Sequence, residues 1–246
     1  MTRVALVTAA AAGLPKGIAT DLARHGYELA FTVRPGGTAA GATVAAVRAT
    51  GRDPLVIPAD FADVAAAASA VAATEKHFGR LDVVVHAVGP IVVRRFERCT
   101  LDDYRAMIEP NLTSAVAIAF AALPGMRTRR FGRLVYFGMN GSHATLPARG
   151  MTLYGAAKAG VVTFARALAI EEARHNITVN VVEPGDIRDK SIDRTAARAV
   201  AANNPTGHAG SWEDIAAAVR FAVADDASFL NGMVLGVNGG LAEAHE

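Results

Sequence analysis

Short runs of β-branched and aliphatic residues alternate with longer helical patterns along the sequence, and this alternation most constrains the fold. Several runs are continuous in Val, Ile and Leu, which is typical of parallel strands covered on both faces. Strands are predicted at Val4–Thr8, Glu28–Val33, Pro54–Pro58, Leu81–His86, Gly132–Phe137, Ile177–Val182 and Met233–Val237. Because strand–helix alternation implies right-handed crossovers, we predict an α/β fold, a doubly wound and mostly parallel seven-stranded sheet flanked by helices.

The helical patterns and the absence of a linker predict one domain. The patterns span Lys16–His25, Thr38–Thr50, Val64–Phe78, Leu101–Glu109, Thr113–Arg129, Tyr154–Ala173 and Glu213–Ala224. A length of 246 residues suits one large α/β domain, so residues 1–246 are predicted to fold as one unit. The least regular segment, residues 187–210, is long enough to form a substrate lid.

Composition excludes several classes of protein. Hydrophobic residues make up 52% and charged residues 20%, which excludes a disordered chain. A net charge of +2 gives no reason to expect a nucleic-acid partner. The longest apolar stretch, Ala115–Leu123, is shorter than the ~20 residues that span a bilayer, so no membrane association is expected. The single cysteine, Cys99, excludes a disulfide framework and a multi-cysteine metal site, so we predict no metal and a cytoplasmic location.

The loop after the first predicted strand is rich in small residues. It runs from Ala9 through Gly13 and Leu14 into the first predicted helix. In a doubly wound fold, the backbone N–H groups of such a loop and the following helix N-terminus bind a pyrophosphate. The alternative interpretation is an ordinary tight turn between a strand and a helix.

The end of the second predicted strand bears on cofactor choice. A site that selects NAD usually places a carboxylate here for the ribose 2′-hydroxyl. This sequence instead has Arg34, which could bind a 2′-phosphate. We therefore predict NADP(H) as the cofactor. The alternative is that Arg34 is only a solvated charge in a loop.

Five motifs occur in order on the predicted elements. Tyr154 and Lys158 form a Y-x-x-x-K pair on a long helix, and Asn111 heads the segment Asn-Leu-Thr. His86-Ala87-Val88-Gly89 ends the fourth strand, Pro184-Gly185 follows the sixth, and Asp60 follows the third. With these motifs the whole chain resembles the short-chain dehydrogenase/reductase family of the classical single-domain type. Within the family it resembles 3-oxoacyl-acyl-carrier-protein reductase-like members, and the resemblance implies a Rossmann-like fold.

The resemblance assigns roles to these residues. Tyr154 and Lys158 are four apart on a helix and share a face, so the ammonium should lower the pKa of the phenol. Tyr154 would then exchange a proton with a carbonyl or alcohol. By resemblance, Lys158 also holds the nicotinamide ribose and Asn111 positions a water. The implied cofactor-binding residues are Thr8, Ala9, Gly13, Leu14, Arg34, Asp60, Phe61, Ala87, Val88, Gly89, Tyr154, Lys158, Pro184, Gly185 and Ile187.

The sequence departs from the family pattern in several places. In the glycine-rich loop, Ala9 and Pro15 replace glycines, and His86 replaces an asparagine that ends the fourth strand. We interpret His86 as a hydrogen-bonded core residue, with a catalytic role as the alternative. Asp189 occupies the slot of a family threonine near the nicotinamide.

A further departure is at the catalytic serine. Met139 stands where the family has this serine, and the loop that follows is longer than the family's. Since a thioether cannot donate a hydrogen bond, Ser142 or Asn140 is predicted to supply the donor, with Ser142 slightly favoured.

The best substrate prediction is a 3-oxoacyl thioester of acyl carrier protein or CoA, reduced to the 3-hydroxyacyl form. Arginines near residue 130, together with His175, could form a basic patch near the entrance for an acidic carrier, or could simply complement a helix dipole. The alternatives are a reductase of a sugar, steroid or secondary-metabolite ketone and a regulatory protein that binds NADP with weakened catalysis. Apolar residues on more than one face of the two long helices Thr113–Arg129 and Tyr154–Ala173 indicate a homotetramer by resemblance.

Overall fold

A parallel sheet forms the centre of the computed structural model, which describes residues 2–37, 40–146 and 148–241. Its strands are β1 (Val4–Val7), β2 (Glu28–Val33), β3 (Leu55–Pro58), β4 (Val83–His86), β5 (Gly132–Phe137), β6 (Ile177–Pro184) and β7 (Val234–Val237). They pair in parallel in the order β3-β2-β1-β4-β5-β6-β7, so the predicted doubly wound fold is confirmed. Because the strands are short and covered on both faces, β1, β4 and β5 consist entirely of buried residues.

Helices cover both faces of this sheet. They are α1 (Gly13–Arg24), α2 (Ala40–Arg48), α3 (Ala65–Phe78), α4 (Leu101–Ile108), α5 (Ser114–Arg129), α6 (Thr152–Glu172), α7 (Arg194–Arg198) and α8 (Trp212–Val223). The apolar faces of α3, α5 and α6 build one core cluster, and those of α1, α2 and α8 build the other. The predicted elements are confirmed to within a few residues, except that the first two residues predicted for the helix Thr38–Thr50 lie outside the described residues.

The strand order reverses between β1 and β4. In open α/β sheets a ligand binds at such a point, outside the carboxyl ends of the strands. The loop after β1 and the loop after β4 both open at this position, and the register pairs Val7 with Val85. The fold therefore places the small-residue loop beside Ala87, Val88 and Gly89.

Two helical stretches, Leu101–Arg129 and Thr152–His175, are long and apolar enough to cross a membrane by length and composition. Their most apolar windows are 44% and 39% buried inside the fold. Residues of both, such as Ile118 and Val161, pack in the core cluster on one face of the sheet. Core packing therefore accounts for part of their apolar character, while Phe120 and Ile170 remain exposed.

Candidate active site

A cleft of about 460 Å³ opens at the carboxyl edge of the sheet beside the β1–β4 switch point. An adjoining pocket of about 390 Å³ lies toward β2 and β3. Most of the predicted site residues line one or the other: Gly13, Leu14, Ala87, Val88, Gly89, Tyr154, Lys158, Pro184, Gly185 and Ile187 line the cleft, and Ala9, Val88, Arg34, Asp60 and Phe61 line the pocket. Elements far apart in sequence therefore meet in one continuous groove along the sheet edge.

The predicted phosphate loop leads directly into α1. Ala12 is the N-cap and provides no side-chain cap, and the first turn contains no acidic residue. The helix N-terminus therefore keeps free N–H groups and positive dipole character, which suits an anion. Pro15 lies in the first turn, where a missing N–H is tolerated, as the sequence predicted.

Ala9 carries more backbone strain than a conservative replacement of glycine should. Its φ is 57°, in the left-handed region that favours glycine, and its amide donates to Thr32 Oγ1 at 2.9 Å. An L-residue in this conformation carries a strain of about 1–2 kcal/mol. The loop keeps the backbone shape of a glycine-rich loop without the glycine.

Thr8, predicted to bind cofactor, does not line the cleft in this structure. Its hydroxyl is fully buried, accepts a hydrogen bond from Ala87 N at 2.9 Å and pairs with His86 Nδ1 at 3.3 Å. On the other side of the ring, His86 Nε2 pairs with Ser114 Oγ at 2.8 Å, and this hydroxyl donates to Pro110 O. Burial, together with the smaller effect of the Lys158 charge, lowers the pKa of His86 to about 3, so the ring is neutral. The interpretation of His86 as a hydrogen-bonded core residue is confirmed.

Tyr154 and Lys158 project together from α6 into the cleft, as their spacing predicted. Lys158 Nζ lies 5.6 Å from the centre of the Tyr154 ring and donates to Phe137 O at 2.9 Å. The predicted direction of the Tyr154 pKa is wrong, because burial raises it to about 12. Burial also lowers the pKa of Lys158 to about 8. In the protein alone, desolvation of the phenol outweighs the attraction of the nearby ammonium.

Asn111 lies in a π-helical turn, Glu109–Thr113, between α4 and α5. Such turns often mark functional sites, because they expose backbone groups that a regular helix would satisfy. Asn111 Nδ2 donates to Met107 O at 2.9 Å and to Pro90 O at 3.0 Å. The amide orientation is thus fixed, and Oδ1 is buried without a partner in the structure.

The residues present fit a nicotinamide nucleotide. A Cβ at Gly89 would lie 3.0 Å from Lys158 Nζ and 3.1 Å from Asn111 Oδ1, so glycine keeps this approach open. A Cβ at Gly185 would lie 2.5 Å from Asn238 Cα, so that position also needs glycine. The groove thus brings together three polar features: the unpartnered Asn111 oxygen, the Lys158 ammonium and the N-terminus of α1. These can bind a ribose and a pyrophosphate.

Ser142 and Asn140 do not line the cleft, so neither provides the predicted hydrogen-bond donor in this structure. Ser142 is 3% exposed, and its hydroxyl donates to Glu183 Oε1 at 2.6 Å. Asn140 Oδ1 accepts from Asn238 Nδ2 at 2.7 Å. Met139 lies in the cleft instead.

Glu183 is the organising residue that sequence reasoning missed. Its side chain is 1% exposed and, besides the Ser142 hydroxyl, accepts from Gly141 N and His143 N, both at 3.0 Å, and from His143 Nδ1 at 2.9 Å. A carboxylate next to the apolar run of β6 was the available signal. The predicted strand ended at Val182, whereas β6 continues to Pro184 and buries this residue.

Near the start of the predicted lid, Ile187 and Lys190 line the cleft but Asp189 does not. Ile187 lines the cleft as expected. The Asp189 carboxylate binds locally, accepting from the backbone N and the hydroxyl of Ser191 at 2.8 and 2.6 Å. Lys190 also lines the cleft, with its Cβ 3.5 Å from where a Gly13 Cβ would be.

Within one subunit, the arginines near residue 130 and His175 do not lie at the entrance of the cleft. Arg130 and His175 precede β5 and β6, at the amino edge of the sheet, whereas the cleft lies at the carboxyl edge. Nearby arginines have structural partners: Arg127 pairs with Glu172, and Arg133 is 1% exposed among backbone carbonyls. Within one subunit, these cations therefore stabilise the fold away from the cleft.

Comparison with known proteins gives consistent matches over nearly the whole chain. A family model described as enoyl-(acyl carrier protein) reductase matches residues 9–242. The chain is 34% identical over 244 residues to the 3-oxoacyl-(acyl-carrier-protein) reductase FabG of Haemophilus influenzae, covering 97% of this chain and 98% of that protein.

Solved structures match equally well in fold. Levodione reductase has a TM-score of 0.89 at 29% identity and covers 99% of this chain and 98% of its own. Acetoin dehydrogenase YohF from Salmonella typhimurium has a TM-score of 0.87 at 26% identity and covers 100% and 98%. The similar structures thus include proteins named for different substrates.

Proposed function

Since the chain belongs to the short-chain dehydrogenase/reductase family, we propose that it reduces a 3-oxoacyl thioester to the 3-hydroxyacyl form with NADPH. It is an oxidoreductase that acts on alcohol and ketone groups. One observation carries the proposal: Tyr154 and Lys158 share the cleft with the buried, unpartnered oxygen of Asn111 close by. The acyl thioester is the substrate class because FabG, named as such a reductase, is similar over nearly the full chain.

The cofactor, when bound, supplies the hydride that reduces the carbonyl carbon. The helix N-terminus at Gly13 and Leu14 would hold the pyrophosphate, and Arg34 with Asp60 would hold the adenosine end. Lys158 and Asn111 would bind the ribose and an ordered water. Tyr154, protonated because its pKa is about 12, donates its proton to the carbonyl oxygen.

Replacing Arg34 with Ala tests the choice of NADP over NAD. Arg34 lines the pocket between the ends of β2 and β3, where it would form a charge-assisted hydrogen bond to a 2′-phosphate. Its loss should weaken NADPH binding by about 10–100-fold and leave NADH binding nearly unchanged. Fluorescence titration of both cofactors measures this. Arg48→Ala is a matched control, because Arg48 is exposed and paired with Asp53; an equal loss for NADPH and NADH would refute the assignment.

The activity should also fall at alkaline pH. The pKa of Lys158 is lowered to about 8 by burial, so its positive charge is present below pH 8 and is lost as the pH rises through it. That charge stabilises the phenolate that remains after Tyr154 donates its proton, so its loss slows reduction. The measurement is kcat/KM for carbonyl reduction between about pH 6 and pH 10. A profile that stays flat to the alkaline end would contradict this role of Lys158.

A carrier-bound substrate, a homotetramer and a cytoplasmic location remain part of the proposal. The exposed Phe120 and Ile170 on α5 and α6 support a subunit interface. The proposal is tested with NADPH and 3-oxoacyl thioesters of both CoA and acyl carrier protein, together with a panel of sugar, steroid and small ketones. Turnover of another ketone alone would favour the alternative reductase, and NADPH binding without turnover would favour a regulatory protein.

A further inference from the structure

The wall beside Tyr154 is apolar where a second hydrogen-bond donor would be expected. Met139 lies in the cleft, and its Cε is 3.7 Å from where a Cβ at Gly155, the residue after Tyr154, would be. The apolar side chains of Met151 and Ile91 also line the cleft. Among the described lining residues, Tyr154 carries the only hydroxyl.

A buried network holds the loop that carries Met139 in place. Glu183 accepts hydrogen bonds from both backbone and side chains of residues 141–143, as described above. The Ser142 hydroxyl that donates to Glu183 also accepts from Met139 N at 3.1 Å. Gly138 completes the arrangement, because a Cβ there would lie 2.8 Å from Ser142 Oγ and 2.8 Å from Glu183 Cγ. The loop therefore cannot turn Ser142 toward the cleft without breaking buried hydrogen bonds.

The backbone amides of residues 138 and 139 are not available either. Met139 N binds Ser142, and Gly138 N donates to Val182 O at 3.0 Å. Lys158 Nζ donates to Phe137 O, which holds the ammonium toward the strand end. A carbonyl oxygen in this cleft thus receives the Tyr154 proton without help from a second hydroxyl or from the amides of residues 138 and 139.

From this geometry we propose that Met139 determines specificity, restricting efficient reduction to carbonyls activated by an adjacent electron-withdrawing group. The inference rests on the proposed function and narrows its substrate class to 1,2- and 1,3-dicarbonyl compounds, which include 3-oxoacyl thioesters. Removing one donor to a developing oxyanion typically costs on the order of 10²–10³ in rate. A carbonyl that is already electron-poor needs less of this stabilisation, so its rate of reduction falls less when the donor is missing.

The reduction needs only the reduced nicotinamide, the Tyr154 proton and solvent. The carbonyl carbon gains a hydride from the reduced nicotinamide, which is thereby oxidised, and the C=O π electrons move to oxygen. That oxygen takes the proton of Tyr154, and solvent returns a proton to the phenolate. An electron-withdrawing neighbour favours hydride addition, because it stabilises negative charge on oxygen as it develops.

The test compares matched carbonyls in single-turnover experiments at saturating NADPH. One pair is an acetoacetate ester and an alkyl methyl ketone of equal length, and a second set is para-substituted acetophenones from methoxy to nitro. The variants are Met139→Ser, which restores a hydroxyl, and Met139→Leu, an apolar control of similar volume. Fluorescence titration of NADPH, expected to be unchanged in both variants, provides a readout independent of turnover.

We expect the wild-type rate to rise steeply with electron withdrawal. Met139→Ser should accelerate the simple ketones by about 10²-fold, accelerate the activated carbonyl by less than about 10-fold, and flatten the substituent dependence. Met139→Leu should leave the substituent dependence as it is in the wild type. Equal rates for activated and simple ketones in the wild type, or a Met139→Ser variant that accelerates neither or both alike, would overturn the inference while leaving carbonyl reduction intact. If NADPH binds but no carbonyl of any class is reduced, the proposed function itself fails.

Discussion

Replacing Tyr154 with Phe lowers the rate of carbonyl reduction by about 10²–10⁴-fold, the usual contribution of a positioned general acid. The substitution removes one oxygen from a half-buried ring on α6 and leaves the ring itself in the cleft. Because the phenol is the only hydroxyl among the described lining residues, no other hydroxyl there can take over the proton transfer. The measurement is the single-turnover rate of reduction at saturating NADPH.

The loss should be in chemistry and not in cofactor binding. NADPH titrations should give a similar dissociation constant for wild type and Tyr154→Phe, since the phosphate loop and Arg34 are untouched. Tyr104→Phe is a matched control, because Tyr104 is an exposed phenol on α4 outside the cleft, and its rate should not change. Unimpaired turnover in Tyr154→Phe would remove this residue from the mechanism.

Replacing Glu183 with Ala destabilises the protein by about 3 kcal/mol or more. The carboxylate is buried, and its removal leaves the N–H groups of Gly141 and His143 and the Ser142 hydroxyl without their acceptor. Each unsatisfied buried donor costs about 1–3 kcal/mol. For a chain of this length, that corresponds to a melting temperature lower by roughly 6–12 °C, measured by thermal unfolding.

The control for this prediction is another glutamate. Glu171 is exposed on α6, so Glu171→Ala should change stability by less than about 0.5 kcal/mol. If Glu183→Ala melts within a degree or so of the wild type, the hydrogen bonds to Glu183 do not hold the loop, and the basis for the position of Met139 is lost.

The sheet and the nucleotide end of the groove were predictable, because they depend on local patterns. Continuous Val runs specify covered parallel strands, and the loop after β1 must open where the strand order reverses. The Tyr154–Lys158 pair was predictable for the same reason, since a spacing of four residues on a helix determines that both side chains share a face. The burial of the Thr8 hydroxyl was not predictable, because only the packing of β1 beside β4 shows that it bonds to His86.

The predictions from sequence failed where the position or the pKa of a side chain depends on contacts with residues distant in sequence. Ser142 is turned away from the cleft by Glu183, which lies on another strand, and no spacing within the loop reveals this. The raised pKa of Tyr154 reflects burial by the whole fold, whereas the spacing shows only its lysine neighbour. For Arg130 and His175 the sequence left two interpretations open, because it does not show which edge of the sheet their loops occupy.

The most direct test of the proposed reduction is to mix the protein with NADPH and a 3-oxoacyl thioester, and to follow both the absorbance of NADPH and the acyl product. NADPH should be consumed in equal amount to the 3-hydroxyacyl thioester formed, and Tyr154→Phe should slow both signals by about 10²–10⁴-fold while still binding NADPH. The proposed reduction would be contradicted if the wild type binds NADPH tightly but consumes none with this thioester or with any other carbonyl tried.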